Sequence, residues 1–312
     1  MHLLIPFACA VSEASAHVLH DLPLPNLQRL LARMAPGRPD AADEYSLSPP
    51  HERALAAAWG WQGADGLLPF AAQAARADGL AVEDRAWGLL TPAHWHVGRD
   101  HVTLADPAAL ALDEAGSRAL FEAVRELFES EGFALAWGAP QRWYAAHDSL
   151  ADLPCASLDR AIGRNVELWL SGSRHSVQGR LVRRLQSEVQ MAMYPHPINE
   201  AREARGGLPM NSFWLSGCGR AQPADPAAVE VDASLRAPLL AEDWAAWADA
   251  WRALDAGRLG ALHARLDAGE PLALTLCGER SAQRFEVAPR SLWQRVAGRF
   301  AATPPHTVLK GL

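Results

Sequence analysis

The sequence predicts an α/β fold, and three observations predict it. Residues 2–5 and 272–277 are short apolar runs with the length and branching of buried strands. Residues 120–128 and 244–254 carry apolar side chains at helical spacing. Strand and helix signals then alternate along the chain, which is the pattern of layered α/β architecture.

Taken in order, the first strand (His-Leu-Leu-Ile) ends at Pro6, which has no amide hydrogen for a sheet ladder. Leu27, Leu30, Leu31 and Met34 repeat as on one helical face, with Pro25 in the first turn. Residues 35–50 read as a loop, and 51–61 as a helix. Residues 104–113 mix strand and turn signals. Leu120, Phe121, Val124, Leu127 and Phe128 then form an apolar stripe that Gly132 stops. A strand over 133–137, a helix over 180–193, a short helix over 199–205 and a strand over 210–215 follow. Residues 221–228 form a Pro/Ala-rich linker. Trp244, Trp247, Trp251 and Leu254 share one helical face, read as core packing rather than a partner-binding groove, and Glu242 and Asp243 sit at the positive end of its dipole.

The 312 residues are 49% apolar and 21% charged, an ordinary globular balance that argues against extensive disorder. A net charge of −7 and the lack of a basic stripe argue against a nucleic-acid partner. No apolar run approaches the ~20 residues of a spanning helix, which argues against a membrane. Four cysteines without a CxxC pair fit reduced thiols better than a disulfide frame, and the N-terminal apolar stretch lacks a basic flank and is broken by Pro6. The expected location is cytoplasmic.

The most specific segment joins His196, Asn199, Arg202, Arg205, Gly206, Pro209, Asn211 and the run Trp214-Leu215-Ser216-Gly217-Cys218-Gly219. It resembles the HPxN–R–G–P–N–WLxGxG signature of archaeal-type cofactor-independent phosphoglycerate mutases, members of the alkaline phosphatase superfamily. Upstream, residues 110–112, the helix from Glu114, and Gly138 with Arg142 resemble the strand, helix and G-x-x-x-R strand of that family's inserted domain. Pro25-Asn26-Leu27 resembles its PNL segment. With its SLSPPHERAL, TP-x-HW and LQSEVQM segments, the chain more closely resembles the bacterial RpfE-type regulatory proteins. The resemblance implies an alkaline-phosphatase-like core sheet, shortened and mostly parallel. Residues 1–92 and 221–312 would build it, with an inserted α/β domain over 93–220.

Departures from the mutase pattern fall where its chemistry sits. The resemblance aligns the phosphate-carrying serine with His51, a metal-binding Asp-Gly with Pro6-Phe7, and a later Asp-His with the region of Cys277, Gly278 and Glu279. Pro and Phe offer no ligand atom to a two-metal phosphoryl-transfer site.

Several residue sets carry a sharp reading beside a plain one. His94, His96, Asp100 and His101 have imidazole and carboxylate spacing that suits zinc; the plain reading is a turn around Trp95. His51, at a helix start after Pro49-Pro50, is a nucleophile candidate or an ordinary first-turn residue. Arg142, His196, Asn199, Arg202, Arg205 and Asn211 are candidates for an anion-binding surface, because guanidinium groups grip phosphate or carboxylate bidentately; the plain reading is a fixed turn with solvated arginines. Asp65-Gly66 and Asp78-Gly79 read as turns without chemistry.

The leading expectation is a non-catalytic, phosphoglycerate-mutase-like regulatory protein that senses a small anionic metabolite and needs no cofactor. One alternative is a metal-dependent phosphotransferase or phosphatase with a rebuilt site, holding manganese or zinc. Another is a scaffold that works through a protein partner.

Overall fold

The computed structural model describes residues 1–82, 84–170, 176–287 and 304–312. Along them run twelve strands: β1 (His2–Ile5), β2 (Met34–Pro36), β3 (Asp40–Ala41), β4 (Ala86–Ala93), β5 (Trp95–Val97), β6 (Val102–Leu104), β7 (Ala134–Ala139), β8 (Arg142–Ala146), β9 (Ser212–Arg220), β10 (Glu230–Val231), β11 (Ala273–Cys277) and β12 (Ser281–Val287). Helices lie between them, so the protein is mixed α/β. Two compact units divide the chain: Met1–Glu44, Pro49–Gly60 and Asp225–Leu312 make the first, and Tyr45–Ser48 with Trp61–Ala224 the second.

In the first unit the sheet runs β10-β1-β11-β12-β2, with β3 also on β12. β1 pairs in parallel with β10 and β11, whereas β12 is antiparallel to β11, β2 and β3. The expected mostly parallel core is therefore a mixed sheet. The reason is local: β11 turns back at Gly278 directly into β12, a connection that only an antiparallel neighbour permits. β2, which takes in Met34 from the expected helical stripe, and β3, from the expected loop over 35–50, close the far side of β12.

Helices cover this sheet through the predicted aromatic stripe. Trp247 and Trp251 of helix Trp244–Leu254 are fully buried with Leu3, Ile5, Leu274 and Leu276. Asp243 caps that helix, its side chain accepting from Ala246 N at 2.9 Å. Past Leu254 the backbone opens into one π-helical turn, Asp255–Leu259, before helix Gly260–Asp267. Asp255 in that turn is buried, and its carboxylate accepts from the backbone N–H of Asn26 (3.1 Å) and Leu27 (2.8 Å). It thereby caps helix Pro25–Leu31, which has no capping side chain of its own.

In the second unit the sheet β7-β8-β4-β9 is antiparallel throughout, beside a β5-β6 hairpin. The apolar stripe of helix Glu114–Glu129 (Leu120, Phe121, Val124, Phe128) packs into one core with Leu185 and Val189 of helix Val177–Met193. The expected strand over 110–112 is absent: Pro107–Leu110 is a 3-10 turn, and Ala111 has a φ of 43°. The unit takes in Tyr45–Ser48 and Trp61–Ala224, with β4 as the inner strand between β8 and β9 and the alanines of helix Phe70–Ala77 packed against Trp87 and Tyr144. Pro92 is tolerated in β4 because it lies past the β8 ladder and pairs only with Phe213 of β9. Gly217 holds φ at 64°, and a Cβ there would meet Ala71 N at 2.7 Å, so the WLSGCG run needs glycine for helix Phe70–Ala77 to approach β9. No helix among the described residues is long and apolar enough to cross a membrane.

Candidate functional site

Ligands in a parallel sheet gather where the strands end at their carboxyl edge, and in the first unit that edge is formed by β1 and β11. The chain leaves β1 through Pro6 and enters Phe7 with φ at 60°, a left-handed conformation that favours glycine. Ala8 N then donates to Cys277 O at 2.8 Å, tying this turn to the end of β11. The position where the resemblance sets a glycine thus keeps a glycine-like backbone but carries a benzyl group. His51, in the first turn of helix Pro50–Ala58, sets its ring 5.0 Å from the Phe7 ring at 39°. Beyond β11, the Glu279 carboxylate accepts from Val11 N at 2.8 Å.

The thiols at this edge are held protonated. Burial, reinforced by the Glu279 charge, pushes the Cys9 thiol up to about 11. Burial also pushes the Cys277 thiol up, with Asp40 adding to the shift and Arg53 opposing it. Among the described residues no three His, Cys, Asp or Glu side chains lie close enough together to hold a metal ion. The donor set at this edge therefore does not fit a two-metal phosphoryl-transfer centre. Pro6 and Phe7 offer no donor atom where that centre needs one.

In the second unit the signature segment folds as a knot. His196 caps helix Pro197–Glu203, its Nδ1 accepting from Ile198 N at 3.3 Å. Asn199 is buried; its Nδ2 donates to Met193 O (2.9 Å) and Met210 O (2.7 Å), and its Oδ1 accepts from Met210 N (2.9 Å). Arg202 donates from Nε to Leu208 O at 2.8 Å and from its terminal nitrogen to Leu110 O. Asn211 clasps Trp95 on both sides, accepting from its N at 2.7 Å and donating to its O at 2.9 Å. Arg205 is exposed, with Nε on Ala201 O at 3.0 Å. Burial pulls the Arg202 guanidinium below its ordinary range, and the like charge of Arg205 pulls the same way, against Asp113.

Arg142 belongs to a different cluster. It grips Asp78 bidentately, from Nε at 2.9 Å and from its terminal nitrogen at 2.7 Å, and the Tyr144 hydroxyl donates to the same carboxylate at 2.6 Å. The G-x-x-x-R pattern has a steric reason here: a Cβ on Gly138 would collide with the Asp78 carboxylate and the Tyr144 ring.

The histidine set is spread along the β5-β6 hairpin. The His94 and His96 rings lie 6.4 Å apart, and His94 Nδ1 is 2.8 Å from Pro209 O. Asp100 and His101 sit in the exposed turn that Gly98 N closes onto His101 O at 3.0 Å. These four side chains do not gather into a metal-binding group.

The chain matches no family model, and no curated protein matches it. Among solved structures it is similar to a cofactor-independent phosphoglycerate mutase from Thermoplasma acidophilum, at 14% identity and a TM-score of 0.38, over 100% of this chain and 98% of that one. It is also similar to a protein from Pyrococcus horikoshii at 13% identity and a TM-score of 0.44, over 99% and 95% of the two chains. Similarity at this level carries no chemistry.

Three carboxylates to which the sequence assigned no chemistry hold the architecture. Asp78 anchors Arg142 and Tyr144, and Asp255 caps a helix. Asp65 accepts from Leu47 N (2.7 Å) and Ser48 N (2.8 Å). The two Asp-Gly pairs do make turns, with φ of 77° at Gly66 and 81° at Gly79. Their carboxylates find partners far along the chain, which local patterning does not reveal.

Proposed function

We propose that this chain is a phosphoglycerate-mutase-like protein that works without catalysis, as a cytoplasmic regulatory protein sensing a small anionic metabolite. The observation that carries the reading is the Phe7–His51 contact. At the strand edge where the resembled enzymes hold metal and nucleophile, this chain sets an aromatic ring against an imidazole. Arg202 and Arg205 are the proposed anion seat. Their guanidinium groups are near enough to repel, and a bound phosphate or carboxylate relieves that repulsion.

The test combines metal stoichiometry with thermal stability. After loading with manganese and zinc and desalting, the protein is expected to hold no stoichiometric metal and to show no mutase turnover. Millimolar phosphoglycerate is expected to raise the melting temperature of the wild type and not of Arg205→Glu. Two tightly held ions with turnover would overturn the non-catalytic reading. Equal melting with and without phosphoglycerate would overturn anion sensing.

A second reading, a scaffold for a protein partner, is favoured by one feature. Asn199, Asn211, Arg202 and Arg142 all engage the protein's own groups.

A further inference from the structure

Cys155 and Cys218 are 63 positions apart in sequence and meet in the second unit, where the Cys218 thiol donates to the Cys155 Sγ at 3.6 Å. Cys218 lies on β9 and is fully buried, while Cys155, in the segment before helix Leu158–Ala161, is partly exposed. Both backbones are fixed without help from the sulfurs. Cys155 N donates to Gly66 O at 3.0 Å, Ser157 N to Leu47 O at 3.0 Å, and the Trp214 indole to Ala156 O at 3.0 Å. Cys218 faces Gly88 of β4, where a Cβ would stand 3.2 Å from its Sγ. The sulfurs are thus neighbours in a set frame. To form a disulfide bond of about 2.05 Å the two sulfurs close from 3.6 Å.

We infer that Cys155 and Cys218 form a reversible dithiol–disulfide pair, with Cys155 as the sulfur that meets a small-molecule disulfide and Cys218 as the one that resolves it. In the first step Cys155 Sγ, as thiolate, attacks one sulfur of the disulfide RSSR, forming a mixed disulfide and expelling RS⁻. That RS⁻ takes the Cys218 proton. Cys218 Sγ then attacks Cys155 Sγ, forming the protein disulfide and expelling the second RS⁻, which takes up a proton from solvent. Two protein thiols are oxidised by two electrons, and one RSSR is reduced to two RSH.

Cys9 and Cys277 are excluded by position. Both are buried in the first unit, with thiols held protonated. The product would fasten residues 155–157, and through Ser157 the 46–48 segment, to β9.

The experiment is native oxidation of the full chain with oxidised glutathione, followed by alkylation, digestion and peptide mapping. The expected product is a 155–218 linked peptide, a protein mass lower by two hydrogens, alkylated Cys9 and Cys277, and full reversal by dithiothreitol. Cys218→Ala is expected to stop at a stable glutathione adduct on Cys155. A wild type that keeps glutathione on Cys155 would overturn the inference, as would a link that forms only after denaturant is added. Both readings use wild-type protein, so they survive a variant that fails to fold.

Discussion

Arg142 and Asp78 form a bidentate ion pair whose carboxylate is only 12% exposed, although the arginine stands 49% exposed. Tyr144 completes the cluster. The Arg142 hydrogen bond, opposed by burial and then helped by the Tyr144 hydroxyl and the Arg142 charge, holds the Asp78 carboxyl below its usual range. The depressed value makes Asp78 stabilising above the unfolded carboxylate pKa near ~4, and that contribution is lost as pH falls through the folded value. Asp78→Ala leaves Tyr144 and Arg142 without their acceptor and is expected to cost about 2 kcal/mol at neutral pH. Urea unfolding at pH 7 and pH 3 checks this, with the gap between wild type and variant narrowing at the lower pH.

His2 adds to the loss of stability in acid through a basic group rather than an acidic one. It is buried on β1, with its Nε2 2.8 Å from the Thr275 hydroxyl. Burial, with Arg284 adding and Glu286 opposing, pulls its imidazole down to about 4. Between that value and ~6.5 the unfolded chain binds a proton that the folded chain refuses, so stability falls as pH drops through this window. The loss from this group is about 3 kcal/mol across the window. His2→Gln is expected to flatten the fall between pH 7 and pH 4 in equilibrium denaturation, and an unchanged slope would refute the assignment.

Asp255 caps the helix that begins at Pro25, so Asp255→Ala removes acceptors from two backbone N–H groups and from the Asn26 side chain. The expected cost is about 2–3 kcal/mol, at the upper end of a lost cap because the site is buried. A lowered denaturant midpoint with an unchanged slope is the expected signature.

Asn199 and Arg205 separate structure from binding within one motif. Asn199→Ala breaks three buried hydrogen bonds and is expected to destabilise by about 2–4 kcal/mol. Arg205→Glu changes an exposed side chain and is expected to stay within about 0.5 kcal/mol of wild type without ligand. Thermal melts of both variants check the contrast.

Phe7 holds a left-handed backbone, φ 60°, in the turn that Ala8 N ties to Cys277 O and the Trp247 indole ties to Phe7 O. Phe7→Gly and Phe7→Ala both lose the ring against His51, but only alanine keeps a Cβ at φ 60°. Phe7→Gly is expected to be more stable than Phe7→Ala by about 1 kcal/mol, read from parallel urea titrations.

Much of the architecture was legible in the residues. Helix Glu114–Glu129 and the tryptophan stripe of Trp244–Leu254 follow from spacing, because a helix that must bury one face writes its period into the sequence. β1 and β11 follow from short apolar runs, being buried along their whole length. β4 was not legible: Gly88 and Pro92 interrupt it, and they are acceptable only because of what β9, β8 and Cys218 place beside them. The site residues divide the same way. Sequence named the residue types of the signature segment and the chemistry missing from Pro6-Phe7. Only the tertiary structure decided that Arg142 faces Asp78, that Asn199 and Asn211 bind backbone, and that Cys155 meets Cys218. Periodicity is a property of neighbours along the chain, whereas Asp78, Asn211 and Cys218 take their partners from segments 63 to 116 residues away.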